Sequence, residues 1–395
     1  MDHLPAIPMI RALVIVFAAT APSWAVFAAE PGGAKSPTQF RVYFGTYTRG
    51  ISRGIYACEM NAATGELSSP RLVAEVRNPS FLAFHPRLPR IYGVSELWQT
   101  DGPDRGAVTA FAIDDSSGDL HELNQEASGG AGPCHLAVSP GGRCLVAANY
   151  GSGSVAVLPL DDEGRLRQRS CLISHEGSGP NEARQKGPHT HQTIFSPDGR
   201  ILLVPDLGID KIVLYRLDEA NGLLTAWDPP AVGVPPGSGP RHCAYHPSGK
   251  FLYAVNELAS TVSVFACAGE VPERLIQTIS TLPPEFEGKN TTAEIEVHPS
   301  GRFVYASNRG HDSIAAFAVD SSTGRLTEIG RFPSGGKTPR NFSIAPGGRF
   351  ILSANQDTDN VVVLEIDPKT GELRQTNVSI QVGAPVCVVY RAIRG

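Results

Sequence analysis

The chain has 395 residues, 41% of them hydrophobic and 18% charged, with a formal net charge of −5. That balance is ordinary for a globular protein with a large core, and it gives no reason to expect nucleic acid as a partner. Glycine and proline are abundant, at 41 and 32 residues, without a collagen-like or low-complexity period, which predicts many short strands joined by turns.

In chain order, the N-terminus differs from the rest. Arg11 precedes an apolar run from Ala12 to Ala21, and Val26-Phe27-Ala28-Ala29 offers small residues at the spacing of signal cleavage. The run is short for a bilayer span, so residues 1–28 read as a cleaved export signal rather than an anchor. Residues 29–38 read as a flexible lead-in, and 39–395 as a single domain in the periplasm or outside the cell, or in the cytoplasm if the signal does not function. The seven cysteines are widely spaced, odd in number and set in apolar strand-like context, which suits buried free thiols better than a disulfide framework. No CxxC or HExxH occurs, which gives a preformed transition-metal site little support, and no cofactor is expected.

From residue 39 onward the chain repeats. A turn phrase recurs at His85-Pro86, Ser139-Pro140, Ser196-Pro197, His246-Pro247, His298-Pro299 and Ala345-Pro346, at intervals of about fifty residues. An alternating strand that ends in a turn and re-enters on Leu recurs seven times, most copies with an Asp/Gly turn, as in Asp320-Ser321-Ser322-Thr323-Gly324-Arg325-Leu326. Six of one phrase and seven of the other imply a split unit, with Pro385 to Tyr390 lying beside Phe40 to Thr48. The expectation is an all-β, seven-bladed β-propeller of four-stranded antiparallel blades, its first blade closed by strands from both chain ends.

Aligning the repeats on the turn proline separates the fold from the chemistry. Nine positions on stand Ser95, Asn149, Asp206, Asn256, Asn308 and Asn355, small polar residues that fit a turn-capping role. One residue further the side chains diverge: Tyr47, Glu96, Tyr150, Leu207, Glu257, Arg309 and Gln356. Six and five positions before the proline come Ser80-Phe81, Cys134-His135, His191-Gln192, Arg241-His242, Ala293-Glu294 and Arg340-Asn341. The two inner strands of a blade run antiparallel, so both variable sets fall at one mouth of the central channel.

Arg241, Arg309 and Arg340 suit a carboxylate or phosphate, because the guanidinium fork binds such groups bidentately and stays charged. Glu257 and Glu294 are general-base candidates if burial or mutual repulsion raises their pKa, and His189 and His191 serve at neutral pH without that condition. The plainer reading of each pair is an Arg–Glu brace between blades. Register puts His191 in the wall of the site, and His189 in the long approach from Ser174 to Pro188, as its lid.

At these residues the chain resembles the lactonase family of seven-bladed propellers, which includes the propeller-type 6-phosphogluconolactonases and the fungal carboxy-muconate lactonizing enzyme. The resemblance spans Phe40 to Arg391 and is specific at Tyr43-Phe44-Gly45-Thr46-Tyr47-Thr48, Gly187-Pro188-His189-Thr190-His191, Asp206-Leu207-Gly208, Gly239-Pro240-Arg241-His242, Val255-Asn256-Glu257, Ser307-Asn308-Arg309 and Pro339-Arg340-Asn341. It implies an active site of His189 or His191 with Arg241, Glu257 and Arg309. The expectation is therefore a metal-independent hydrolase, a monomer, opening a small anionic sugar lactone such as 6-phosphogluconolactone. Glu257 or His191 activates water, Arg241 and Arg309 stabilise the oxyanion, and His135, His189, His242, Glu294 and Arg340 contact substrate. The rivals are a muconate-type cyclase at the same site and a non-enzymatic binding propeller outside the cytoplasm. An export signal fits poorly with a cytosolic sugar-phosphate route.

Overall fold

The computed structural model describes residues 38–98 and 106–393. Residues 1–28, read above as an export signal, and most of the expected lead-in lie outside them. Among the described residues there is no α-helix, and twenty-eight strands form seven four-stranded antiparallel sheets. No helix among them is long and apolar enough to cross a membrane.

The split blade is present as the repeat count implies. Strand Pro385–Ala392 pairs with Gln39–Thr46, in register from Phe40↔Ala392 to Thr46↔Pro385, and forms the inner edge of the first blade. Period-2 alternation in each blade turns one row of apolar side chains toward each neighbour. The buried apolar residues accordingly divide into seven clusters, each drawn from two successive blades. Val42 and Phe44 of the first blade, for example, pack with Leu352, Ala354 and Val361 of the last.

Polar braces tie the same seams. The hydroxyls of Tyr43, Tyr92, Tyr253 and Tyr305 donate to the carbonyls of Gly118, Gly164, Gly324 and Gly371, each in the Asp/Gly turn of the next blade. His85, His246 and His298 reach the carbonyls of Gly142, Gly301 and Gly348 at 2.8 to 3.0 Å, so the turn histidines join blades. The residues nine positions after the proline cap turns: Asn256 donates to Thr261 and Ser263, and Asp206 accepts from the backbone N–H groups of His189 and Gly208.

One irregularity decides where the site sits. In strands Pro133–Val138, Pro240–Tyr245 and Pro339–Ile344 the register slips by one residue at the first step, leaving Cys134, Arg241 and Arg340 as extra, bulged residues. The same slip occurs at Ala293-Glu294 and in the C-terminal strand at Val386. In a regular strand, neighbours point to opposite faces; a bulge re-aims one of them, so two consecutive residues can both face the channel.

Candidate active site

The Gly239-Pro240-Arg241-His242 phrase shows how the sequence builds such a bulge. Gly239 adopts φ +64, which a side chain would strain, and its N–H donates to Asp210 at 2.7 Å. Pro240 starts the inner strand opposite Asn256, Arg241 is the extra residue, and His242 resumes pairing with Val255. Arg241 and His242 both end up lining a chamber at the channel mouth.

The main cavity has a volume of about 300 Å³, with Arg184, His191, Glu257, Arg309 and Arg340 in its polar wall and Trp98 and Tyr150 as its aromatic side. Beneath it lies the chamber, of about 10 Å³, lined by Ser80, Arg241, His242 and Glu294 among others. Glu96, Cys134 and Arg340 line both, so the two adjoin.

Glu257 is the hub of the upper cavity. Its Oε1 accepts from Arg184 Nη2 at 2.7 Å, and its Oε2 lies 2.9 Å from Arg309 Nη2 and 3.2 Å from Arg241 Nε. The last contact has ion-pair distance without hydrogen-bond alignment, since Arg241 Nε makes no hydrogen bond. Burial alone raises a carboxyl, but Arg309, Arg241 and Arg184 together outweigh it and hold Glu257 at about 2. Arg241 also donates to the Ala293 carbonyl at 2.6 Å and Arg309 to that of Thr292 at 2.9 Å. Burial, with Arg309 and Arg340 nearby, lowers Arg241 to about 10, which leaves it charged at neutral pH.

Arg340 differs from the others. No hydrogen bond or ion pair ties its guanidinium to another described residue; it rests over the Tyr47 ring at 5.4 Å. The nearby Glu96 carboxylate is occupied by Tyr47 Oη at 2.9 Å and Ser80 Oγ at 2.6 Å, and burial raises its pKa against the pull of Arg340.

The histidines separate. His191 is buried in the cavity wall, its ring 5.3 Å from Tyr150 and 5.2 Å from His242, and its Nδ1 3.7 Å from Cys134 Sγ. His189 stacks on Tyr150 at 4.5 Å and meets the Tyr150 carbonyl at 2.9 Å, so it stands behind the aromatic wall rather than over the cavity. His135 is buried against Phe81 and lines neither space. His242 lines the lower chamber: its Nδ1 lies 2.9 Å from Glu294 Oε1, and its buried Nε2 has no partner. Burial, and then Arg241, push both His191 and His242 well below the usual histidine value, so both are neutral imidazoles. Burial raises Glu294 to about 6, with Arg241 opposing.

The long approach contributes Arg184 rather than His189. His175 is pinned between Asp206 at 2.7 Å and Tyr215 at 2.9 Å, and the fully buried Gln185 donates to Leu207 and Asp210, both at 2.8 Å. Between those anchors Arg184 spans the mouth, with Nη2 also 3.0 Å from Tyr150 Oη. The sequence signal for it was only a basic residue in an unrepeated loop. Among the described residues no group of three or more His, Cys, Asp or Glu is placed to hold a metal ion.

In sum of charge, four arginines face one ionised carboxylate and the raised Glu96, which leaves the site with an excess of positive charge. Comparisons with known proteins converge on this architecture. The chain is 39% identical over 308 residues, 77% of its length and 85% of the relative's, to a 6-phosphogluconolactonase of Bacillus subtilis. It is 33% identical over 305 residues, 76% and 85% respectively, to one of Formosa agariphila. The solved structure of a periplasmic gluconolactonase from Pseudomonas aeruginosa superimposes with a TM-score of 0.85 at 37% identity, covering 90% of this chain and all of that one. Residues 41–390 match the family described as Lactonase, 7-bladed β-propeller, and the chain belongs to that family.

Proposed function

We propose that the protein hydrolyses a sugar lactone carrying an anionic group, with 6-phosphogluconolactone or a close relative as substrate. Arg340 carries this reading: a half-buried guanidinium without a protein anion bonded to it, held on an aromatic ring and turned to a cavity of about 300 Å³, is the receptor for a charge that substrate brings. Arg184, at the mouth, adds a second donor to that end of the substrate.

Arg241 and Arg309 meet the lactone carbonyl. Both guanidinium groups are held beside Glu257, Arg309 in the cavity wall and Arg241 in the adjoining chamber, and such preorganised cationic donors gain most when negative charge develops on the carbonyl oxygen. Glu257 holds these arginines in place; a carboxylate at about 2 with three cationic neighbours is a weak proton acceptor. Water is activated by a neutral histidine at the base of the site. The sugar ring lies along Trp98 and Tyr150, whose rings meet edge to face at 6.1 Å. The apolar run at Ala12 to Ala21 and the periplasmic location of the Pseudomonas relative support an exported enzyme.

The test is proton release by the purified protein on 6-phosphoglucono-1,5-lactone and on unphosphorylated glucono-1,5-lactone, with spontaneous opening subtracted. Turnover above background with preference for the phosphorylated lactone supports the reading. No turnover of either overturns it.

A further inference from the structure

The lower chamber shares Arg340 with the anion-holding cavity, but its histidine, His242, is not among the groups assigned to the anion. His242 is 3% exposed, and its Nε2 is buried without any hydrogen-bond partner, a costly state for a polar atom. Its other nitrogen is fixed: Nδ1 lies 2.9 Å from Glu294 Oε1. Glu294 is fixed in turn, since Ile295 N donates to Oε1 at 3.1 Å and Asn341 Nδ2 donates to Oε2. A carboxylate on Nδ1 keeps the proton there, which leaves Nε2 with its lone pair as an acceptor. The adjoining chamber of about 10 Å³ has room for about one water molecule and opens beside Arg340, Glu96 and Cys134, which also line the upper cavity.

We propose that His242, held by Glu294, is the base that takes a proton from the attacking water, and that the chamber is where this water sits. The proposal rests on the hydrolase reading. Water oxygen bonds to the lactone carbonyl carbon while one of its protons passes to His242 Nε2, and the oxyanion is met by Arg241 and Arg309. The tetrahedral adduct then breaks the bond between that carbon and the ring oxygen, and the imidazolium returns its proton to the leaving alkoxide. The product is the open hydroxy acid, which loses its carboxyl proton to solvent. Glu294 acts as a positioning residue.

Two observations favour His242 over the other candidates. His191 has the Cys134 thiol rather than a carboxylate near Nδ1, so nothing anionic fixes its tautomer. Glu257 is committed to three arginines. Burial, and then Arg241 and Arg340, disfavour an imidazolium at His242 in the free protein; an anionic substrate across the arginines offsets the part that the arginines contribute.

The test compares His242→Gln and Glu294→Gln with wild type in the full chain, on 6-phosphoglucono-1,5-lactone, reading kcat and KM separately after a thermal-melt check of folding. His242→Gln is expected to lower kcat at least about 100-fold with KM within about 2-fold, because the arginines are untouched. Glu294→Gln, which still offers an oxygen to Nδ1 but no charge, is expected to lower kcat roughly 10-fold, again without moving KM. A His242→Gln protein that keeps half or more of wild-type kcat, or changes only KM, overturns the proposal while leaving the hydrolase reading intact. Wild type without turnover removes both. If His242→Gln does not fold, Glu294→Gln decides: a fall in kcat alone supports the assignment, and an unchanged kcat overturns it.

Discussion

Glu257 Oε1 accepts from Arg184 across the mouth at 2.7 Å while Oε2 faces Arg309 at 2.9 Å, so one carboxylate joins a loop residue to a strand end two blades away. The loop anchor is the more exposed of the two, with 39% of its side chain accessible against 11% for the strand anchor. Substitutions at the two ends therefore differ in consequence.

Glu257→Gln leaves the buried Arg241 and the partly buried Arg309 without that countercharge, and is expected to cost about 3–5 kcal/mol in urea denaturation at neutral pH. The pH dependence follows from the sign. A folded-state value of about 2 against an ordinary 4.5 contributes stability that is fully present above 4.5 and lost as pH falls toward 2. Wild type should lose stability through that window more steeply than Glu257→Gln.

Arg184→Ala removes a half-exposed ion pair, so stability should change by less than about 1 kcal/mol. KM for the phosphorylated lactone should rise about 3- to 10-fold with a smaller change in kcat, read by steady-state proton release.

Arg340→Met keeps the stacking volume over Tyr47 but removes a charge that no side chain hydrogen-bonds and that Glu96 feels only at longer range. With the phosphorylated lactone, KM should rise roughly 10- to 100-fold, as expected for losing a charge-assisted contact of about 1.5–3 kcal/mol. With the unphosphorylated lactone it should move by less than about 3-fold, because no anionic group is there to lose its partner. Steady-state proton release on the two substrates in parallel reads the difference.

Tyr253→Phe removes one of the tyrosine-to-glycine bonds between blades and leaves the Gly324 carbonyl without that donor. A loss of about 1 kcal/mol is expected in denaturant unfolding, with kcat and KM unchanged because neither residue lines the cavity or the chamber.

Much of this was legible in the sequence because a repeat protein carries its own internal comparison. The proline register identified the seven units, the split first blade, and the mouth where Arg241, Glu257, Arg309 and Arg340 meet. What register cannot show is the bulge: Arg241 and His242 are adjacent, and alternation alone would send one of them away from the channel. Side-chain reach is equally silent. Arg184 and His189 lie in the same unrepeated segment, and only the burial of Gln185 and His175 decides that the arginine crosses the mouth while the histidine stacks behind Tyr150. Nor could residue type alone tell that Glu257 would be surrounded and strongly acidic while Glu294 is raised to about 6.

The seam between Pro385–Ala392 and Gln39–Thr46 has a consequence for biosynthesis. The bulged Val386 at the start of that last strand is part of the chamber wall, next to His242 and Glu294. The chamber is thus finished only when the final strand has docked on the first. Until then the Gln39–Thr46 edge is open to wrong partners. Catalysis with His242 as the base would start only after synthesis has reached the end of the propeller, which makes enzyme activity a direct report of ring closure.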